Sequence, residues 1–207
     1  MFIAELDAFK ATRLTPIVAV QTGDAVETTK LLQVALANEI NVSELAAIWM
    51  PSTSELDVKL AFARQAGDEA GHFMLVAERL AALGFDASGF AATTTPMFDF
   101  LRGLSSTIER VAASLFTLES IAYGVNENFM ALCAQRGDDE TVRIYREYIQ
   151  PDEQAHQQLG RKLLAKYATT PAQQQLARDT VGALLDIAGT SRAQAQAKLG
   201  TSCFPGC

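Results

Sequence analysis

The sequence predicts an all-α fold: four long helices in a bundle with one long crossover, followed by a shorter fifth helix. Three observations carry that expectation. The composition is rich in Ala, Leu and Gln and has few β-branched runs, which favours helices. Apolar residues recur at helical spacing through four long segments. Pro51, Gly84, Pro96 and Gly137 stand at the boundaries of those segments, where helix breakers belong.

Residues 1 to 20 read as a lead-in with one short helix that ends near Thr15-Pro16. A turn at Gly23-Asp24 opens the first long helix, with Asp24 as its N-cap, and the helix runs to about Met50. Its apolar face is Leu32, Leu36, Val42, Ala46 and Met50. Pro51 stops it. Ser52 or Ser54 is the expected cap of the second helix, which reaches about Leu83 and buries Phe62, Ala66, Phe73, Val76 and Leu80. Gly84 closes it, and the segment GFDASGFAATTTPMFDF reads as the crossover. Pro96 suits the first turn of the third helix, expected over about 97 to 134 with Leu104, Ile108, Val111, Leu115, Leu118 and Ala122 inside. Gly137-Asp138-Asp139 is a turn and cap. The fourth helix covers about 140 to 167, and Pro151 should kink it or widen a turn. Pro171 starts the fifth helix, to about Ala188, and a last helical piece covers 191 to 199. No stretch reads as a linker, so residues 1 to 207 are expected to form one domain, with the bundle at about 24 to 167.

A net charge of −7 argues against a dedicated nucleic-acid binder, which needs a basic face to displace counterions. No apolar run is long enough to span a bilayer. The first residues, MFIAELDAFK, contain Glu5 and Asp7 and lack the layout of a signal peptide, so the cytoplasm is the expected compartment. The three cysteines make no disulfide framework: Cys133 reads as a small core residue, and Cys203 and Cys207 lie in a tail, CFPGC.

The chemistry is concentrated in one repeated pattern. The chain has two histidines, and each closes a D-E-x-x-H sequence: Asp68-Glu69-Ala70-Gly71-His72 and Asp152-Glu153-Gln154-Ala155-His156. With Glu at 13 of 207 positions, a given His has a Glu three residues before it by chance about once in sixteen. Residues three apart share a helix face, so each Glu and His can converge on one metal region. Two further acids sit on apolar stripes. Glu39 lies among Leu32, Leu36, Val42 and Ala46, and Glu119 among Leu115, Phe116 and Ala122. A buried charge there is costly unless it is paired or bound to metal. The order along the chain is Glu, Glu-x-x-His, Glu, Glu-x-x-His, with 30 residues from Glu39 to Glu69 and 34 from Glu119 to Glu153. Each helix pair thus offers half of one site.

This six-residue pattern, over about residues 24 to 167, resembles the ferritin-like di-metal carboxylate proteins: ribonucleotide reductase small subunits, acyl carrier protein desaturases, bacterial multicomponent monooxygenases, rubrerythrins and manganese catalases. The resemblance implies a ferritin-like four-helix bundle and two metal ions, iron or alternatively manganese. Glu39, Glu69 and His72 would favour one ion and Glu119, Glu153 and His156 the other, with Glu69 and Glu153 as bridges. It also implies that Asp152 orients His72 and that Asp68 orients His156, each carboxylate fixing a ligand's tautomer. Tyr123, four residues after Glu119, reads either as a redox-active or hydrogen-bonding neighbour of the metals or as a core tyrosine. Arg146 reads as a bundle-end or a surface residue. Gly67, Gly71 and Gly160 read as close packing or as room beside the metals.

The expected function is a di-iron oxidoreductase that activates dioxygen to oxidise or hydroxylate a small organic substrate. The alternative is a peroxide-detoxifying or iron-handling protein, similar to rubrerythrin or manganese catalase. The chain has no four-Cys module of the kind rubrerythrins usually add. A tRNA-modifying di-iron hydroxylase fits the acidic balance poorly. The sequence names neither the substrate nor the electron donor. Bundles of this class often pair, so a homodimer is expected, with Trp49 and Met50 as candidates for the contact.

Overall fold

The computed structural model of the chain describes residues 1–19, 26–199 and 205. Helices account for its regular structure, and among the described residues there is no strand. We number seven helices: α1 (Phe2–Val18), α2 (Thr28–Trp49), α3 (Leu56–Ala82), α4 (Pro96–Arg102), α5 (residues 107–135), α6 (residues 139–167) and α7 (Pro171–Leu199). α5 and α6 each contain a π-helical stretch, Ala112–Leu118 and Tyr145–Ile149. No described helix is long and apolar enough to cross a membrane.

α2 packs along α3, and α5 along α6. Two apolar clusters fill the interior. One contains Val42, Trp49, Phe62, Leu115 and Leu163. The other contains Leu36, Val76, Phe129 and Ile149. Each of α2, α3, α5 and α6 passes from one cluster to the other. α2 and α6 leave the second for the first, whereas α3 and α5 run the opposite way. α3 and α5 therefore point in the same direction, and the connection from 83 to 106 must return the full length of the molecule. That accounts for its length, and α4 docks Phe98 and Leu101 into the first cluster on the way. α1 and α7 pack on each other and against α5.

The ends of the helices follow local chemistry. Gly84 takes φ 86°, and Phe85 N–H reaches Leu80 O at 2.9 Å while Gly84 N–H reaches Ala81 O at 3.0 Å. This left-handed closure suits glycine. Gly137 (φ 73°) ends α5 in the same manner. Asp138 then caps α6 by accepting from Thr141 N–H at 3.0 Å, and it also takes Arg79 at 2.7 Å.

Several expected boundaries differ. α1 continues through Pro16 to Val18. The third helix is broken: α4 ends at Arg102, and α5 restarts at Thr107 behind a capping box in which Ser106 and Glu109 satisfy each other's backbone N–H. Neither Ser52 nor Ser54 caps α3. Glu55 holds that position without a side-chain cap, and its carboxylate accepts from Thr107 at 2.6 Å. The fifth helix and the last piece are one helix, which at 29 residues is not shorter than those of the bundle; it runs through Gly182 and Gly189, where an added Cβ would make only ordinary contact with Phe9 and Ile17 of α1. Trp49 is not a surface contact: it is 2% exposed and tilts on Phe62 with ring centroids 5.3 Å apart. Arg146 is exposed. The Gly23-Asp24 turn and Cys203 and Cys207 lie outside the described residues.

Candidate metal centre

Glu39, Glu69 and Glu153 each sit where their helix crosses between the two apolar clusters, and Glu119 lies at the edge of the first, between Leu118 and Ile121, so the four form a polar belt inside the molecule. All four are 0% exposed, and His72 and His156 are 2% exposed. Their donor atoms fall into two groups, each within 4.8 Å: Glu39, Glu69, His72 and Glu153, and Glu69, Glu119, Glu153 and His156. Glu69 and Glu153 belong to both. The structure thus brings together all six residues of the sequence pattern, from α2, α3, α5 and α6.

The two imidazoles are held alike. His72 Nδ1 faces inward, 3.2 Å from Glu69 and 3.5 Å from Glu39, while its Nε2 lies 3.3 Å from Asp152. His156 Nδ1 faces Glu69 at 3.5 Å and Glu119 at 3.6 Å, and its Nε2 lies 3.0 Å from Asp68. Each Asp therefore serves the histidine of the other motif. A proton on Nε2 donated to Asp leaves the Nδ1 lone pair directed at the carboxylates, where a metal would be.

Without a bound cation the electrostatics of this cluster would be strained. Burial raises the carboxyl pKa of Glu69 and of Glu153 well above the usual range, and Glu119 nearby adds to it. Burial alone would lower the histidines. For His72 that is outweighed by Asp152, Glu39 and Glu69, and the net shift is upward. His156 is pushed up to about 9, its burial outweighed by Glu119, Glu69 and Asp68. Both oxygens of Glu39, Glu69 Oε1 and His156 Nδ1 are shut off from solvent and receive no hydrogen bond. Buried polar atoms are normally satisfied. Buried donor atoms that lie close together and receive no hydrogen bond fit a site that could hold a cation.

Both π-helical stretches lead into this belt. Glu119 N–H bonds Ser114 O, five residues back, and Gln150 N–H bonds Tyr145 O likewise. The second stretch is the widened turn expected at Pro151. The first has no proline behind it. Gly160 of α6 packs against it so closely that a Cβ would lie 2.7 Å from Leu115 and Phe116 backbone atoms.

Two neighbours escape the sequence reading. Gln65, fully buried and one turn before Glu69, donates Nε2 to Glu119 Oε1 and to Ser114 Oγ at 2.9 Å. A glutamine four residues before a candidate ligand, on the same face, was the available signal. Gln157, beside His156, donates to Glu119 O at 3.2 Å. Tyr123, in contrast, is half-buried, and its backbone carbonyl accepts from Gln150 of α6 at 3.2 Å.

Gly67 and Gly71 do not serve close packing, since a Cβ at either meets nothing within 4 Å. They open a groove of about 510 Å³ at the α3–α6 seam, with His72, Asp68 and Asp152 in its lining and exposed Met74 and Tyr148 beside them.

No curated protein and no solved structure matches the chain. A family model does, over residues 20–183, a span that includes all four helices of the belt. The chain belongs to the family described as protein of unknown function (DUF455).

Proposed function

We propose that the chain is a non-haem di-iron oxidoreductase of the ferritin-like class, activating dioxygen to oxidise or hydroxylate a small organic substrate. The observation that carries this reading is the pair of four-residue clusters that share Glu69 and Glu153. Two antiparallel helix pairs joined by a full-length crossover, with Glu-x-x-His on two helices and Glu on the other two, support the same class. Carboxylate oxygens with one imidazole per cluster suit iron or manganese. Four ionised glutamates carry four negative charges, which two divalent ions neutralise; without them, burial of that charge is expensive.

Bound there, a redox-active ion pair supplies the electron transfer that dioxygen reduction requires. The chain's own residues do the rest. Asp68 and Asp152 fix the histidine tautomers. Glu69 and Glu153 stand where both clusters meet, and Glu39 and Glu119 complete one cluster each. Gln65 restrains Glu119. The flanking apolar clusters exclude water, and the groove over Gly67 and Gly71 gives small molecules an approach to His72.

The test is metal analysis of the purified protein and of a Glu153→Ala, His156→Ala variant, followed by oxygen uptake by the iron(II)-loaded protein. About two ions per chain, lost in the variant, with uptake of dioxygen, are expected. Fast peroxide turnover on manganese would replace the oxidase reading with the catalase one. Absence of metal after reconstitution would remove both.

A further inference from the structure

We infer that Lys10 is a positioning residue for the second half of this centre, holding Glu119 in place from outside the four ligand-bearing helices; the inference rests on the dimetal reading above. Lys10 belongs to α1, which supplies no ligand. Its side chain is buried, with the residue 4% exposed. The ammonium donates to Phe116 O at 2.9 Å and to Ser120 Oγ at 2.7 Å. It stands 3.6 Å from the centroid of the Phe116 ring and 3.8 Å from Asp7, which is itself tied to Arg161 of α6 at 2.9 Å.

The two hydrogen-bond partners lie on either side of Glu119. Phe116 is inside the π-helical stretch, and Ser120 is in the α-helical turn that follows it. The amine therefore bridges the change of register on which the direction of Glu119 depends. A residue gained or lost there would rotate every following side chain by about 100° relative to the preceding ones. Ser120 Oγ lies 3.2 Å from Gln157 Oε1, and Gln157 Nε2 donates to Glu119 O at 3.2 Å. The network thus runs from Lys10 to the backbone of Glu119 and to the neighbour of His156. These are the two residues that belong to the second cluster alone. Glu39 and His72, which belong to the first alone, lie on α2 and α3 and take no part. A buried ammonium is costly unless fully paired. Packing alone would be served by an apolar side chain, so the charge is explained by the carbonyl and hydroxyl that it holds.

The experiment is a cobalt(II) titration of the full chain, followed by visible absorption, for wild type and Lys10→Met. Wild type should bind two ions. The variant should bind the first as wild type does and the second at least tenfold more weakly. Unchanged binding of both ions overturns the inference, and so does equal weakening of both, which would mean general loosening. If wild type binds no cobalt, the dimetal reading fails and the inference falls with it. If Lys10→Met does not fold, Ser120→Ala decides: a weakening of about threefold confined to the second ion supports the inference, and wild-type binding of both overturns it.

Discussion

Asp68 accepts a hydrogen bond from Nε2 of His156 at 3.0 Å, although the two residues belong to different Glu-x-x-His motifs. Asp152 and His72 repeat the relationship at 3.3 Å. The crossed pairing links α3 to α6 on both sides of the belt, so a change at one motif reaches the histidine of the other. Asp68→Asn keeps the shape and removes the charge. It should lower the affinity of the Glu119–His156 cluster by about 10- to 100-fold and leave the Glu39–His72 cluster closer to wild type. Competition with a chelator of known affinity measures both. Equal affinities in the variant and wild type would show that Asp68 is only a solvated neighbour.

Glu69→Gln should act in opposite directions on the two forms of the protein. Without metal, Glu69 is a buried carboxyl whose ionisation is disfavoured by burial and by Glu119. An isosteric amide removes that conflict, and stability should rise by about 1 kcal/mol or more. With metal present the same change removes a residue common to both clusters, and neither ion should bind tightly. Denaturant unfolding in chelator and in iron(II) separates the effects. A variant less stable in chelator would contradict the strain assigned to the metal-free cluster.

Metal removal should be visible in stability itself. A ligand that binds only the folded chain at a hundredfold excess over its Kd adds about 2.7 kcal/mol per site. The melting temperature should therefore fall on chelation and return on adding iron(II) or manganese(II). In the Glu153→Ala, His156→Ala variant it should not respond.

The belt was legible because it depends on spacing. Glu69 and His72, three apart, share a face whatever the helix packs against, and Glu39 and Glu119 are acids on stripes that are otherwise apolar. The details that aim those residues were less legible. Nothing in AASLFTL, residues 112 to 118, marks a π-helical stretch, and the residues that contact it, Gly160 and Lys10, are distant in the sequence. Lys10 stands four residues after the buried Leu6, so a cation on a core-facing stripe was a signal available in the sequence, like Gln65. The break before α5 was also written there, as Ser106-x-x-Glu109, but the apolar period of Leu104, Ile108 and Val111 runs through it and masks the restart. Trp49 was misplaced because an aromatic at a helix end reads equally as surface or core until Phe62 is seen beneath it.

Stability should depend on pH through Lys10. Burial, together with Arg161, lowers its pKa from 10.5 to about 8, against the opposing pull of Asp7. Between those values the unfolded chain holds the proton and the folded chain releases it. The unfolded state thus binds more protons, and this group's contribution to stability rises with pH across the window. Below about pH 8 both states are protonated and the contribution is flat. Unfolding free energies of wild type minus those of Lys10→Met, measured from pH 7 to pH 10.5, should show that rise. A flat difference would mean that Lys10 titrates as a solvated lysine.

The three helical glycines near the belt should respond to alanine with opposite signs. In an α-helix, alanine is favoured over glycine by about 0.5–1 kcal/mol wherever its methyl has space. Gly67 and Gly71 have that space, so Gly67→Ala and Gly71→Ala should each stabilise the metal-free protein by about that amount. Gly160 has none: its Cβ would lie 2.7 Å from the Leu115 carbonyl carbon and the Phe116 nitrogen, both backbone atoms that cannot rotate away. Gly160→Ala must push α6 from the π-helical stretch of α5, at about 1–3 kcal/mol. The displacement falls between Glu119 and His156, so the second ion should also bind more weakly. Urea unfolding in chelator and cobalt(II) titration read the two consequences separately. A Gly160→Ala protein as stable as wild type and unchanged in both ions would show that the contact yields without cost and does not set the register of Glu119.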